Sequence, residues 1–209
     1  MDRAGWPFIA IAALPAAITA MFGAVAVALA LLILPIAIGL FFRDPHRTPP
    51  TDPTIVVSPA DGTVTFAGIA PAAEAPPGNW RQVTIFLSPL DVHINRAPAG
   101  GLVTRVEFFR GTFLPAYQPG AHTNERSEIW LDANGQTIVA RQVVGVLARR
   151  VVCRLKAGDR VAVGDRIGLM KFGSRMDVFM PTSATLTVTK GERVRGGETV
   201  IARLGPSPA

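Results

Sequence analysis

A Gly-Ser bond near the end of this 209-residue chain has the residue types for a self-cleavage reaction. Gly173 and Ser174 lie in the segment 169–175, which reads LMKFGSR. The Ser174 hydroxyl could attack the carbonyl group of Gly173, because glycine has no side chain to block the approach. The resulting ester can eliminate, which leaves dehydroalanine and then a pyruvoyl group on a new N-terminus. Such a carbonyl would serve as an electron sink without a separately bound cofactor.

The Gly-Ser dipeptide is common in turns, so its meaning depends on the surrounding sequence. Five stretches occur in a fixed order, namely FFRDP at 41–45, SPADG at 58–62, FLSPLDVH at 86–93, NER at 124–126 and FGSR at 172–175. Together they resemble the phosphatidylserine decarboxylases, in the short bacterial form of that family. The long forms carry Gly-Ser-Thr at the cleavage site, whereas this chain carries Gly-Ser-Arg, as the short forms do.

The resemblance implies a pyruvoyl-dependent enzyme that converts phosphatidylserine to phosphatidylethanolamine and CO₂. The expected covalent cofactor is the pyruvoyl group derived from Ser174, which would form a Schiff base with the substrate amine. Cleavage at Gly173-Ser174 would give a β chain of residues 1–173 and an α chain of residues 174–209. The two chains would stay together as a heterodimer because their strands share one sheet.

The resemblance also implies a catalytic histidine and an aspartate. His93 matches an active-site histidine and is expected to reprotonate the α carbon as a general acid. Asp61 matches an aspartate that orients this histidine in a triad arrangement. The long forms place two histidines three residues apart, but here the second position is Arg96. The base for self-cleavage is therefore either His93 itself or His93 with help from His122.

Two further side chains flank the cleavage site. Phe172 is expected to be a wall that excludes water. Arg175 becomes the second residue of the α chain, and two interpretations stay open for it. Its charge could steer a phosphate or carboxylate, or it could be a solvated surface arginine.

The elements that must position these residues are mostly strands. Runs rich in Val, Ile, Thr and Phe predict strands at 55–57, 62–67, 82–87, 101–109, 127–131, 137–144, 150–155, 166–170, 177–180, 184–189 and 199–204. We also expect one short helix near 141–149. The sequence therefore predicts a mainly β catalytic domain.

An internal echo refines the predicted fold. The pattern G-[DE]-R-V-x-x-G-[DE]-x-[IV] occurs at 158–167 and again at 191–200. Each copy is typical of a turn that leads a strand into a sheet corner. Lipoyl and biotinyl carrier domains use similar paired hairpins, so the chain resembles a barrel-sandwich β fold of that hybrid type.

The N-terminal region predicts a membrane anchor. No charged residue occurs between Trp6 and Phe42, and this stretch is too long for one simple span of about 20 residues. We expect residues 1–42 to form a helical hairpin or one to two spans, with a break near Thr19 to Gly23. A secretory signal peptide is the alternative, but the apolar stretch is too long for one. Residues 43–54 predict a proline-rich linker, and 55–209 the catalytic domain.

Net charge and composition limit the kinds of partner that this chain could bind. The net charge is +6, and with an apolar anchor present it favours an anionic membrane surface over nucleic acid. Basic residues flank both ends of the anchor, which places the catalytic domain on the cytoplasmic face of a bacterial inner membrane. No metal site is predicted, Cys153 is expected to be a buried core thiol, and edge strands leave a homodimer open.

The main rival hypothesis is a non-catalytic barrel-sandwich protein. Met170-Lys171 is similar to the Met-Lys pair that carries biotin, which would indicate a biotinyl or lipoyl carrier. A membrane-anchored adaptor of the same fold is the other alternative. A carrier would be modified on Lys171 and remain one chain, whereas a decarboxylase would be split before Ser174.

Overall fold

The computed structural model describes residues 1–118, 120–146, 151–170 and 174–206. The chain divides into two compact units, Met1–His46 and Arg47–Ala209. This division falls within the predicted linker. Each unit is described by itself.

The first unit consists of apolar helices. After a short 3₁₀ turn (Arg3–Gly5), they are Trp6–Met21 (α1), Val25–Leu31 (α2) and Ile33–Phe41 (α3). The chain turns after α1 at Gly23, whose φ of 75° favours glycine. The Asp2 N–H donates to the Phe42 carbonyl at 3.0 Å, so the ends of the unit meet as in a hairpin. The stretch Arg3–Met21 is long and apolar enough to cross a membrane, whereas Val25–Phe41 is shorter.

The second unit is built of strands. In chain order they are Ile55–Val57 (β1), Gly62–Ile69 (β2), Trp80–Leu87 (β3), Ile94–Arg96 (β4), Gly101–Phe109 (β5), Arg126–Ala133 (β6), Gln136–Val143 (β7), Val151–Cys153 (β8), Arg160–Val161 (β9), Arg166–Met170 (β10), Ser174–Pro181 (β11), Thr185–Leu186 (β12), Arg193–Val194 (β13) and Val200–Arg203 (β14). A 3₁₀ turn, Ala121–Thr123, precedes β6. The prediction of a mainly β domain is confirmed.

The predicted strands agree with the structure to different degrees. The bounds of β1, β5 and β10 match, whereas β4, β9 and β13 were not predicted. Strand β11 begins at Ser174, three residues before its predicted start. The short helix expected near 141–149 is wrong for its first residues, because Arg141–Val143 belongs to β7 and 144–146 are not helical. Residues 147–149 lie outside the described part of the chain.

The largest sheet places β11 in its interior. Eight antiparallel strands follow the order β13-β2-β3-β11-β7-β6-β5-β9, and two three-stranded sheets follow the orders β1-β14-β12 and β4-β10-β8. One face of the large sheet packs on the apolar core. From β11 this face contributes Met176, Val178 and Met180, which are fully buried. The interior position matters because β11 begins at the predicted cleavage site.

The two copies of the echo adopt the same backbone. Each starts at a glycine with positive φ and forms a two-residue strand, β9 or β13. Each then turns at a second glycine, Gly164 (φ 80°) or Gly197 (φ 79°), before β10 or β14. A Cβ on Gly197 would lie 3.6 Å from the Gly164 Cα, so the two turns pack against each other. The repeated pattern therefore encodes paired corners, as the sequence predicted.

Candidate active site

Ser174 is the first residue of β11 and is fully buried. It pairs with Leu87 at the end of β3. Because side chains alternate along a strand, Ser174 lies on the same face as Met176 and Val178. The other half of the predicted cleavage site, Gly173, lies outside the described residues, as do Phe172 and Lys171.

The hydroxyl of Ser174 is buried without a described partner. Within the described part of the chain, its Oγ has no hydrogen-bond partner. A buried hydroxyl without a partner costs free energy, so the fold maintains it against a stability cost. This orphaned atom fits a residue that is converted into a pyruvoyl group, because that conversion consumes the hydroxyl.

The opposite face of the same strand carries a saturated charge pair. Arg175 donates from Nε to Asp177 Oδ1 at 2.7 Å and from Nη2 to Oδ2 at 3.0 Å. Glu74 lies on the other side of this guanidinium at 3.6 Å. Arg175 is only 8% exposed, so the alternative of a solvated surface arginine is wrong.

The pair continues across neighbouring strands. Asp177 lies opposite Thr84 on β3 and Arg141 on β7, and Arg141 lies opposite Glu128 on β6. Thr84 donates to Asp177 at 2.8 Å, and Arg141 Nε donates to Glu128 at 2.9 Å. Arg141 Nη1 also lies 4.0 Å from Asp177, so this buried row of side chains ties β11 to both of its neighbours.

Burial lowers the pKa of Arg175 and of Arg141, whereas the nearby carboxylates raise both pKa values. Burial alone would lower the pKa of Arg175, but the charges and hydrogen bonds of Asp177 and Glu74 outweigh it, so this pKa is raised. Burial dominates at Arg141 and lowers its pKa despite the attraction of Asp177 and Glu128. Both side chains remain cations, because a guanidinium is not deprotonated in proteins.

A pocket opens beside Arg175 on this outer face. Its volume is about 320 Å³, and its polar lining includes Glu74, Gln82, Thr84 and Gln118. Tyr117 also lines it, and the Tyr117 ring stands edge-on to Phe86 at 5.9 Å. The pocket can hold a small polar group.

His93 lies in the interior immediately before β4 and is fully buried. Its backbone carbonyl accepts from the Met170 N–H at 3.3 Å, and Met170 lies four residues before Ser174. Its Nδ1 is 2.9 Å from the Asp91 carbonyl oxygen. Because a carbonyl only accepts, Nδ1 must carry the proton, and Nε2 is then the basic nitrogen of the neutral ring.

The loop before His93 is fixed by the side chain of Asp91. This carboxylate accepts from the Ser88 N–H at 2.8 Å and from Arg193 Nη2 at 2.5 Å. Burial would raise the pKa of Asp91, but the bonds from Arg193 and Ser88 outweigh it, so the pKa is lowered. Arg193 belongs to the second copy of the echo, which thus supports the histidine loop from a distant part of the sequence.

The structure does not join Asp61 to His93 Nδ1, the nitrogen that a triad carboxylate would hold. Asp61 accepts two hydrogen bonds from Arg47, at 2.7 and 3.0 Å, and one from the Gly196 N–H at 2.8 Å. Arg47 also binds Glu198 at 3.1 Å. These contacts fasten the start of the second unit to the second echo turn.

Arg96 and His122 have distinct surroundings. Arg96, at the position of the second family histidine, is buried and donates to the Gly164 carbonyl at 3.0 Å. A Cβ on Gly197 would lie 2.9 Å from its Cδ, so Arg96 packs against both echo turns. His122 is partly exposed, and its Nδ1 lies 3.7 Å from Glu74. Glu74 therefore connects His122 to Arg175, the neighbour of Ser174.

Sequence reasoning missed three supporting residues. Arg193 was seen only as part of the echo, and Glu74 has no sequence signal because it lies in a loop. Asn124 was quoted in a motif without a role. Its fully buried amide bonds the Leu114 N–H at 2.9 Å, the Leu114 carbonyl at 2.7 Å and the Val144 carbonyl at 2.9 Å. Its place in the NER stretch was the signal that could have identified it.

Comparisons with known proteins agree with this geometry. A family model described as "Phosphatidylserine decarboxylase" matches residues 35–202. The chain belongs to the phosphatidylserine decarboxylase family. The matched region contains Ser174, His93 and Asp61, and it extends into the last helix of the first unit.

Named relatives cover most of the chain. A phosphatidylserine decarboxylase proenzyme of Anaplasma phagocytophilum is 42% identical over 210 residues, which is 98% of this chain and 91% of the relative. Proteins with the same name from Rhodococcus jostii (45% identical, 80% of this chain and 73% of the relative) and Paraburkholderia xenovorans (38%, 97% and 96%) are also similar.

Family membership confirms the resemblance inferred from the five ordered stretches, and it makes this chain a decarboxylase. The word proenzyme in the relatives' names denotes a precursor, as the predicted cleavage requires. These findings do not favour the carrier or adaptor hypotheses. The modification expected for a carrier falls on Lys171, outside the described residues.

Proposed function

We propose that this chain decarboxylates phosphatidylserine to phosphatidylethanolamine and CO₂, with a pyruvoyl group that it makes from Ser174. The observation that carries the proposal is the Ser174 hydroxyl, which is buried on the apolar face of β11 without a described partner. It occurs in a chain of the decarboxylase family. An ordinary turn serine would need neither this burial nor this isolation.

Self-cleavage begins with attack of Ser174 Oγ on the carbonyl carbon of Gly173. The C–O bond forms, the C–N bond breaks, and the hydroxyl proton passes to a base while the freed amine gains one. Loss of the Ser174 Cα proton then expels the Gly173 carboxylate. Hydrolysis of the dehydroalanine releases ammonia and leaves the α-keto terminus.

The pyruvoyl group supplies a carbonyl that binds the substrate amine and accepts the electrons released when CO₂ departs. The protein must then deliver a proton to the α carbon. We assign this delivery to His93 Nε2, because Nδ1 is committed to the Asp91 carbonyl. As the basic nitrogen of the neutral ring, Nε2 first takes up a proton from solvent, before the substrate fills the site, and then passes it to the α carbon. The full burial of Ser174 keeps water from the site, which favours loss of charge from a carboxylate.

The base for self-cleavage is proposed to be His93, with His122 as its helper. His93 is linked through Met170 to the segment that carries Ser174. His122 reaches the same strand only through Glu74 and Arg175. Asp61 retains its proposed role as an orienting carboxylate only if it releases Arg47, so Asp61→Asn is a test. An Asp61→Asn chain that cleaves slowly at unchanged stability would support that role.

The α chain is proposed to remain bound after cleavage because β11 is an interior strand. It pairs with β3 over eight residue positions and with β7 over five. The hydrogen bond from Thr84 to Asp177 at 2.8 Å and the ion pair between Arg141 and Asp177 at 4.0 Å add side-chain contacts between the two products of cleavage. Arg175 is proposed to anchor the new N-terminus through Asp177 rather than to steer the substrate.

The paired echo turns support our proposal of a barrel-sandwich fold of the lipoyl and biotinyl hybrid type. The apolar hairpin of the first unit supports a membrane anchor, and the basic residues near its ends support a cytoplasmic catalytic domain at the bacterial inner membrane. We also propose a homodimer, which the edge strands β13 and β9 of the large sheet support.

The intact mass of the denatured protein tests the function. We expect two chains that part between Gly173 and Ser174, with the small chain lacking a free amine and carrying the pyruvoyl mass. The purified protein should release CO₂ from phosphatidylserine. A folded, unbroken chain with that activity would overturn the mechanism, and a modified Lys171 on one unbroken chain would indicate a carrier.

A further inference from the structure

The exposed apolar side chains of the second unit are concentrated in a few loops. Among its described residues, the large hydrophobic side chains that are exposed are Ile69, Leu90, Phe108, Phe113, Leu114, Tyr117 and Val146. All except Ile69 lie at the end of β5 or in the loops that follow β3, β5 and β7. Leu90 is the most exposed of the seven, at 83%.

Strand register places these loops at the end of the sheet where Ser174 lies. Ser174 pairs with Leu87, and the chain continues from there to Leu90. Val143 pairs with Arg175 on one side and with Arg126 on the other, and Arg126 pairs with Phe109. The ends of β3, β7 and β5 therefore share one edge with the start of β11. Ile69 pairs with Arg81 at the opposite end.

The longest of these loops is held in place by hydrogen bonds. Asn124 bonds both backbone groups of Leu114, and its Oδ1 also accepts from Thr112 Oγ1 at 2.8 Å. Asn124 also ties this loop to the Val144 carbonyl that precedes Val146. The apolar side chains of the two loops are thus presented by a fixed scaffold and are not drawn into the core.

Large exposed apolar groups on a water-soluble surface mark a site of contact with a partner or a membrane. The family's substrate is a diacyl lipid, which leaves the bilayer at a cost of roughly 0.8 kcal/mol per CH₂. An exposed Arg110 stands directly after β5 at this edge, and cations near a surface attract anionic lipids. A lipid surface therefore fits both the chemistry and the position of these loops.

We propose that Leu90, Phe108, Phe113, Leu114, Tyr117 and Val146 form a lipid-facing edge that inserts into the bilayer interface. This contact is distinct from the N-terminal helices, and it brings the Ser174 end of the sheet to the substrate headgroup. The proposal rests on the proposed function only in making Ser174 the reaction site. Insertion itself does not depend on cleavage or turnover.

Site-directed fluorescence in the full chain tests the edge. Cys153 is replaced by Ala, and an environment-sensitive probe is attached through Leu90→Cys, Phe113→Cys or, as the matched control, Ile69→Cys. Ile69 is 75% exposed, similar to Leu90 but at the opposite end. Each protein is placed in vesicles of phosphatidylcholine and phosphatidylglycerol without phosphatidylserine.

We expect a blue shift and strong quenching by nitroxide-labelled lipids at positions 90 and 113, and little of either at position 69. Equal signals at all three positions would overturn the proposal. So would a blue shift without vesicles that grows with protein concentration, because it would assign the edge to contact between two copies of the chain. Measuring cleavage of each labelled protein by mass separates these outcomes from failure of the proposed function.

A kinetic measurement gives an independent test. The double variant Leu90→Ser, Phe113→Ser should show a several-fold higher apparent KM for phosphatidylserine in vesicles. The rise in the apparent KM of the same variant should be smaller with a dispersed short-chain phosphatidylserine, because that substrate needs no bilayer contact. Ile69→Ser is the control. An equal loss on both substrates would indicate a structural role and contradict the proposal.

Discussion

The two faces of β11 treat their polar groups in opposite ways. On the inner face, Ser174 shares its side of the strand with Met176 and Val178, and its hydroxyl has no partner among the described residues. On the outer face, Arg175 and Asp177 are joined by two hydrogen bonds, and Asp177 also binds Thr84. One strand thus presents a reactive group on one side and is anchored by saturated charges on the other.

The inner face of β11 therefore carries the reactive group, and the outer face carries the contacts that stabilise the strand. A hydroxyl with no competing bond is available for attack on a neighbouring carbonyl, whereas a bonded one would first have to break a contact. We expect the charges on the other face to hold the strand when its N-terminal connection is cut. Substitutions on the inner face should therefore reduce cleavage and activity, whereas substitutions on the outer face should reduce stability.

The largest effect is expected from Ser174→Ala on the inner face. Without the hydroxyl there is no ester and no pyruvoyl group, so the protein should remain one folded chain with no measurable decarboxylation. Intact mass and CO₂ release measure this, and Ser183→Ala in an exposed turn is the control. An active, uncut Ser174→Ala protein would show that Ser174 is not the source of the reactive group.

The next effect concerns His93, a second fully buried polar residue, whose backbone is bonded to Met170 upstream of Ser174. His93→Asn keeps a donor for the Asp91 carbonyl but lacks Nε2, so a cleaved sample should lose about 10²–10⁴-fold in turnover. His93→Gln keeps an amide near the position of Nε2 and loses the Nδ1 donor. If His93→Asn turns over normally, the proton comes from His122 or from water.

On the outer face, Asp177→Asn should destabilise the fold. It leaves Arg175 and Arg141 short of negative charge in a buried site, and breaking a buried pair costs about 3–5 kcal/mol. Chemical denaturation of the full chain in detergent measures the change. Asp52→Asn breaks the exposed bond to Arg203 and should change stability little.

A double variant sharpens this test. Adding Arg175→Met to Asp177→Asn removes the uncompensated charge and should restore part of the lost stability. If Asp177→Asn and Asp52→Asn have equally small effects, the outer face does not anchor the strand.

The smallest effect is expected at the loop that holds His93. The pKa of Asp91 is lowered in the folded state, so its bond to Arg193 stabilises the fold above the unfolded pKa of about 3.9. That stability is lost as the pH falls through the lower folded value. Because Arg193 is largely exposed, the effect should be about 1 kcal/mol or less.

Melting temperatures between pH 3 and 7 measure this effect. Wild type and Arg193→Gln should differ near neutral pH and converge at the acidic end. Arg160→Gln, at the corresponding position of the first echo copy, is the control. If the difference between wild type and Arg193→Gln stays constant with pH, the contribution of Arg193 to stability does not depend on the ionisation of Asp91.

Much of this arrangement could be predicted from local sequence. Strands β1, β5 and β10 were predicted at their observed bounds, because apolar alternation and flanking turn residues are local signals. The glycines of the echo likewise encode the positive φ values at Gly164 and Gly197. The contacts of Asp61 could not be predicted in this way, because a resemblance does not reveal that Arg47 binds this carboxylate.

The sequence by itself determined the strand-rich domain, the paired turns, the apolar N-terminal helices and the position of the Gly-Ser bond. Only the tertiary structure decided which residues support that bond. Asp91 and Arg193 are 102 residues apart, and Thr84 and Asp177 are 93 apart. Such contacts depend on strand order and register, which arise from packing of the whole sheet and leave no pattern in any one segment.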